Sequence, residues 1–191
     1  MRKLSYFVGS SIDGFIASPD GQHDFLAFEG DFAAAVMADY PETLPAPARE
    51  SLGLTGVANK RFDTIVMGRG TYDPGLAVGL TSPYPHLEQY VFSRTLTQVD
   101  PEVEIVTGDP AGFVRGLKRQ EGGMEIWLSG GAGLAGELLE EIDELIVKVY
   151  PVVVGTGIPL FRSPFAPHGF AVTDVHTFAT GALITTYTRT V

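Results

Sequence analysis

The sequence predicts an α/β sandwich whose central sheet is mostly parallel, with an antiparallel edge at its C-terminal end. Short apolar runs rich in β-branched and aromatic residues alternate with stretches of helical period, and glycine-bearing loops follow several of those runs. Residues 170–191 then read as two strands joined by a Thr-Gly turn, which supplies the antiparallel edge.

In chain order, residues 4–9 form an apolar, aromatic-rich run that stops at Ser10-Ser11 and the Asp13-Gly14 turn signal, so a buried strand feeds a loop. A second short strand is expected at residues 15–17. From Asp31 the pattern FAAAVMADY places Ala, Val and Met on a helical period, with Asp31 as a plausible cap and Pro41 as the stop. Three prolines in the next segment make a loop, followed by a short helix at about residues 46–52. FDTIVMG, YVFS, EIVTG and EIWLS are buried-type strands. Between the last two, Asp109 or Pro110 opens a helix carrying Phe113, Val114 and Leu117 on one face, and paired glycines close it. GGAGLAGELLEEI is a glycine loop running into a helix, and DELIVKVYPVVVG is the longest strand candidate.

The 191 residues amount to one domain, 1–191, with no internal repeat or linker. With 45% hydrophobic and 19% charged residues there is ample material for a core. A net charge of −10 argues against nucleic-acid or anionic-membrane surfaces, because phosphate binding needs a positive field. The absence of cysteine removes disulfides, thiolate catalysis and Cys-ligated metals, and fits a cytoplasmic protein. The N-terminal apolar run is broken too early for a signal peptide, and no stretch approaches the ~20 apolar residues of a membrane span. No G-x-S-x-G elbow or Walker loop occurs, and His23, His86, His168 and His176 lack metal-ligand spacing, so no metal site is expected.

Three loops after buried strands are the candidate ligand-binding elements, since open α/β sheets bind ligands at the carboxyl ends of their strands. In the first, Gly68 lets backbone approach a ligand, Arg69 offers a forked cation for phosphate, and Thr71 adds a hydroxyl; a plain glycine turn with an exposed Arg reads equally well. In the second, residues 131–136 match G-x-G-x-x-G, placing Gly131, Ala132, Gly133 and Leu134 where a pyrophosphate would lie. The acid that a Rossmann domain needs after the next strand is missing, which disfavours that fold, and the glycines also suit close helix–sheet packing. The third, Ser93-Arg94-Thr95, supplies a second Arg and two hydroxyls.

Together the segments SYFVGSSIDGFIA, TIVMGRGTY, YVFSRTL, EIWLSGGAGLAGELLE and DELIVKVYPVVVGTGIPLF resemble, in that order, the dihydrofolate reductase-like fold. The resemblance is closer to the branch typified by the C-terminal reductase domain of bifunctional riboflavin-biosynthesis proteins, and it covers nearly the whole chain. It implies a three-layer α/β/α sandwich, a stand-alone reductase, NADPH as reductant and a homodimer. Gly68, Arg69 and Thr71 match the loop that grips the cofactor phosphates, with Ser93 and Arg94 near the adenosine 2′-phosphate. Gly130 and Gly131 match a Gly-Gly pair beside the pyrophosphate, often joined by a cis peptide, while Gly9 and Ile16 flank the nicotinamide position.

Dihydrofolate reductases proper carry an acid in the first helix and a Trp shortly before it. Here the counterparts are Asp31 or the less well placed Glu29, and Phe25. Asp31 is thus a candidate catalytic acid, although a helix cap explains it more readily. The riboflavin-type domain instead reduces a ribosylamino-pyrimidine phosphate. Residues 155–161, GTGIPLF, match its substrate-side loop, with Asp13 across the cleft as a polar or proton-relay residue unless Asp-Gly is only a turn. Two functions follow: an NADPH-dependent reductase passing hydride to a C=N or C=O of a small heterocycle, or a non-catalytic nucleotide-binding homodimer.

Overall fold

The computed structural model describes residues 1–190. Eight strands form one sheet in the order β5-β4-β3-β6-β1-β7-β10-β9. β1 (Leu4–Ser11), β3 (Phe62–Gly68), β4 (Glu88–Phe92), β5 (Val103–Val106), β6 (Glu125–Gly130) and β7 (Glu144–Tyr150) run parallel. β10 (Leu183–Arg189) is antiparallel to both β7 and β9 (Phe170–Thr177), so the antiparallel edge lies where the sequence pattern places it.

β1 lies between β6 and β7, with Ser5 in register with both Trp127 and Glu144. Helices cover both of its faces, which is why LSYFVGSS reads as a near-continuous buried run rather than an alternating one. On one face Phe7, Phe62, Trp127 and Ile146 pack with Phe32 and Val36 of α1 (Gly30–Asp39) and Tyr72 of α3 (Arg69–Ala77). On the other, Tyr6, Val8, Val66 and Leu128 meet Val114 and Leu117 of α4 (Pro110–Lys118) and Leu134 and Ala135 of α5 (Ala132–Glu137). These are the three layers.

Local chemistry sets the element ends. Asp109 caps α4, accepting the Ala111 and Gly112 N–H groups at 3.0 Å, and Pro110 occupies the first turn where its missing N–H costs nothing. α2 (Ala46–Ser51) forms after Pro45 as the composition suggests. The 143–155 strand expectation needs correction: β7 ends at Tyr150, because Pro151 cannot donate to the ladder. A second sheet of β2 (Phe15–Ala17) and β8 (Ile158–Pro159) is also present, and β8 lies inside a segment read from sequence as loop.

The amino ends of the parallel strands are closed by ion pairs. Arg2 pairs with Asp63 and donates to Thr64 at 2.6 Å. Arg61 pairs with Glu125 at 2.8 Å and with Glu144, and Glu144 also receives Lys3 at 3.5 Å.

Candidate functional site

At the opposite, carboxyl end of the strands, one groove of about 860 Å³ runs across the sheet. Gly9, Ile16, Gly68, Arg69, Thr71, Ser93, Arg94, Gly131, Ala132, Gly133 and Leu134 all line it. The chain therefore brings together residues from five separate segments that sequence alone could only name one by one. Gly130 is not in the lining; it is joined to Gly131 by a cis peptide at the floor's edge, with φ +120.

The groove has two chemically different arms. Beyond β3, β4 and β6 it is lined by guanidinium groups and bare backbone, with Glu137 of α5 as the one carboxylate. Arg69, at the start of α3, is held by Asp73 at 3.1 Å and by the Thr95 hydroxyl at 2.6 Å. Arg94 has no ion-pair partner among the described residues, and neither does Arg162. Ser93 shapes the turn that carries Arg94, its Oγ accepting the Leu96 N–H at 3.0 Å. Sequence reading missed Arg162, which enters the groove because the 158–162 segment folds back over α5. The signal was the close approach at Gly136, where an added Cβ would overlap the Arg162 carbonyl, so a glycine is needed in a helix that otherwise wants none. The Arg162 N–H donates to the Ala132 carbonyl at 2.9 Å.

The other arm, over β1 and β7, is an aromatic chamber lined by Phe7, Leu26, Phe28, Tyr84, Trp127 and Tyr150. Trp127 is held rigid by its indole N–H, which donates to the Phe7 carbonyl at 3.0 Å, and by the Tyr84 ring edge at 5.2 Å. Burial pushes the Tyr84 and Tyr150 phenols up to about 12, so both are neutral hydrogen-bonding groups at physiological pH. In the midst of these rings stands Lys148, whose Nζ lies 4.0 Å from the Phe7 ring centre. Desolvation lowers its pKa to about 8. Lys148 went unread because one lysine in DELIVKVY looks like the solvent-facing alternate of a half-exposed strand; the run of buried neighbours was the available warning.

Neither candidate carboxylate faces this groove. Asp13 is exposed and accepts the Ser11 hydroxyl at 2.6 Å and the Gly155 N–H at 2.7 Å, interactions that hold it below the usual carboxylate range, with the Ser11 bond the largest cause. It braces the turn after β7. Asp31 accepts the Ala179 N–H at 2.7 Å, tying α1 to the β9–β10 turn, and the Phe32 N–H at 3.0 Å. Asp31 does not cap the helix either: Glu29 occupies the cap position and α1 starts at Gly30. Among the described residues no three His, Asp or Glu side chains gather as a metal set.

The sequence matches the RibD C-terminal domain family over residues 2–185. The chain belongs to that family. It is 34% identical over 165 residues to the uncharacterized protein YwjB of Bacillus subtilis, covering 84% of this chain and 83% of that one. Among solved structures it resembles a putative riboflavin biosynthesis protein from Shewanella sp. PV-4, with a TM-score of 0.72, 26% identity, and coverage of 100% and 99% of the two chains. A diaminohydroxyphosphoribosylaminopyrimidine deaminase/5-amino-6-(5-phosphoribosylamino)uracil reductase from Thermotoga maritima shares the fold, with a TM-score of 0.62 at 16% identity. That match spans 99% of this chain and 57% of the bifunctional one. No helix among the described residues is long and apolar enough to cross a membrane.

Proposed function

We propose that this RibD C-terminal family member is an NADPH-dependent reductase that passes hydride to the carbon of a C=N or C=O bond in a small heterocycle. The observation that carries the reading is the division of one groove into a cationic arm and an aromatic chamber, meeting at Gly9 and Ile16. Family membership and a structural relative named for riboflavin biosynthesis support it. A 5-amino-6-(5-phosphoribosylamino)uracil type of substrate, named for the Thermotoga relative, is the first to test.

The residues present fit NADPH. Arg94 and Arg162 are guanidinium groups that form no ion pair among the described residues in a chain of net charge −10, which is the chemistry of a polyphosphate arm. At Gly70 and Gly133 an added Cβ would project into open space, so bare backbone faces the groove where phosphate oxygens need close N–H donors. When bound, NADPH supplies the hydride. The chain's part is positional. Arg69, Arg94 and Arg162 hold the charged end, and the aromatic chamber takes the flat ring and keeps water from the reacting carbon. Such a reaction belongs in the cytoplasm, where NADPH is maintained.

Quenching of the single Trp127 on titration with NADPH and NADH tests this, since Trp127 lines the groove. Saturable NADPH binding much tighter than NADH, followed by NADPH oxidation with the pyrimidine substrate, is expected. Binding without oxidation by that substrate or any pterin leaves a nucleotide-binding module instead, and no binding of either nucleotide overturns the reading.

We further propose a homodimer. β9 is an eight-residue edge strand exposed along almost its whole length, with Val172 57% and Val175 49% exposed, and a second copy is the simplest cover for it. Light scattering at working concentration should give twice the monomer mass; a monomer removes the proposal.

A further inference from the structure

We propose that Lys148 is the proton donor of the reduction: its ammonium protonates the nitrogen or oxygen of the double bond whose carbon accepts the hydride. This rests on the reductase reading and assigns the half of the chemistry that neither Asp13 nor Asp31 is placed to perform.

The placement is what argues for it. Lys148 is the cross-strand neighbour of Gly9, about 4.8 Å away across the parallel ladder, and both line the groove where the two arms meet. Gly9 is crowded toward the chamber, since an added Cβ would stand 3.1 Å from Tyr150 and 3.2 Å from Leu26; those two side chains wall the chamber on that side, and Lys148 is the lysine in its lining. The ammonium forms no ion pair among the described residues. Its recorded partner is the Phe7 ring face, an attraction that steadies a cation without consuming its N–H donors. Nothing in the fold needs a cation at this position, and an apolar side chain would fill it at lower desolvation cost.

Lys148 lies against the Phe7 ring of β1 and is in register with Ile184 of β10, and the titratable groups that share its chamber are Tyr150 from its own strand, Tyr84 from the segment before β4 and His23 from the loop before α1. Tyr40 packs on Phe7 with the two rings tilted and their centres 4.6 Å apart. None is a carboxylate, so no neighbouring charge offsets burial. A lysine brought to about 8 is mostly protonated at neutral pH and is a far better acid than either phenol, as proton transfer near the operating pH requires. The balance is simple. The carbon receives hydride with two electrons, the π pair moves to the heteroatom, and that atom takes a proton from Lys148 Nζ. Neutral Lys148 then regains a proton from water.

The test uses the wild-type chain, Lys148→Met and Lys148→Arg with NADPH and 5-amino-6-(5-phosphoribosylamino)uracil. Wild-type kcat should fall as pH rises through about 8. Lys148→Met should lower kcat by about 10²-fold or more and abolish that limb, and Lys148→Arg should not rescue, because an arginine does not release its proton. NADPH affinity by Trp127 quenching should stay within about twofold for both variants, since a general acid acts on the substrate and not on the phosphates. Lys148→Met with near wild-type kcat and the same limb overturns the proposal while leaving the reductase reading intact. Acetic anhydride labelling gives a readout independent of turnover, because the chain has only four lysines, Lys3, Lys60, Lys118 and Lys148. Lys148 labelling that rises through pH 8 and is suppressed by the pyrimidine supports the assignment. An ordinary lysine profile without suppression overturns it.

Discussion

The two ends of the parallel sheet carry opposite electrostatics. At the amino ends of the strands Arg2, Lys3 and Arg61 are matched by Asp63, Glu125 and Glu144, with Glu144 only 6% exposed at its side chain. At the carboxyl ends Arg94, Arg162 and Lys148 line the groove without an ion-pair partner among the described residues, and Glu137 is the single carboxylate in that lining. The same residue types thus do two jobs. Paired charges hold the strands in register, whereas unpaired ones keep their hydrogen-bonding capacity for a ligand. Counting arginines in the sequence cannot separate these jobs; only the end of the strand at which each one emerges can.

The contrast is sharpened by substitutions at the two ends. The largest expected effect is Arg61→Ala, which strips the buried Glu144 of its main partner and should cost on the order of 3 kcal/mol. Thermal melting should show a fall of roughly 6–12 °C for a chain of this size, with NADPH affinity unchanged in the folded protein. Arg94→Ala should do the reverse. Losing one charge-assisted bond should weaken NADPH by about 10- to 100-fold, with little change for NADH or for Tm. A melting loss comparable to that of Arg61→Ala would break the comparison.

Lys148→Met gives a smaller effect of opposite sign. The native pKa is depressed from 10.5 to about 8, so the folded state binds fewer protons than the unfolded one between those values, and stability rises with pH there. Below pH 8 the buried charge is a full burden on the fold. The methionine variant should therefore melt about 2–4 °C higher at pH 7, with the gain vanishing near pH 10, as differential scanning calorimetry can follow. The smallest effect is Asp13→Asn, which should leave Tm and NADPH binding near wild type while speeding amide exchange at Val154 and Gly155. Because this carboxylate is held below the usual range, the wild type should keep its protection at neutral pH and lose it only as pH falls through that lowered value.

Much of the scaffold was legible because apolar strands ending in glycine loops leave a strong local pattern. The FDTIVMG, YVFS and EIWLS runs and the Asp109-Pro110 helix start all fall close to where the pattern puts them. The glycine and arginine loops were legible for the same reason, since each directly follows its strand. The misplacements are of another kind. Asp13 and Asp31 lie near the site along the chain, yet their oxygens are taken by backbone N–H groups more than a hundred residues away, at Gly155 and Ala179. Arg162, Tyr84 and Lys148 reach the groove only through strand order and loop return, information that no window of neighbouring residues contains.

The position of β1 also bears on how the molecule is made. β1 is flanked by β6 and β7, which follow it by more than a hundred residues, so during synthesis Tyr6 finds its partners only when Leu128 and Leu145 have been made. Until then residues 4–11 form an apolar ribbon with both edges open, a liability during synthesis because unpaired strands invite wrong partners. Insertion of that ribbon closes the sheet and at the same moment brings Gly9 beside Lys148, so the groove is complete only when nearly all of the chain has emerged. A translation arrest before β7 would yield a chain holding the cationic arm's glycine loops but no chamber to serve them.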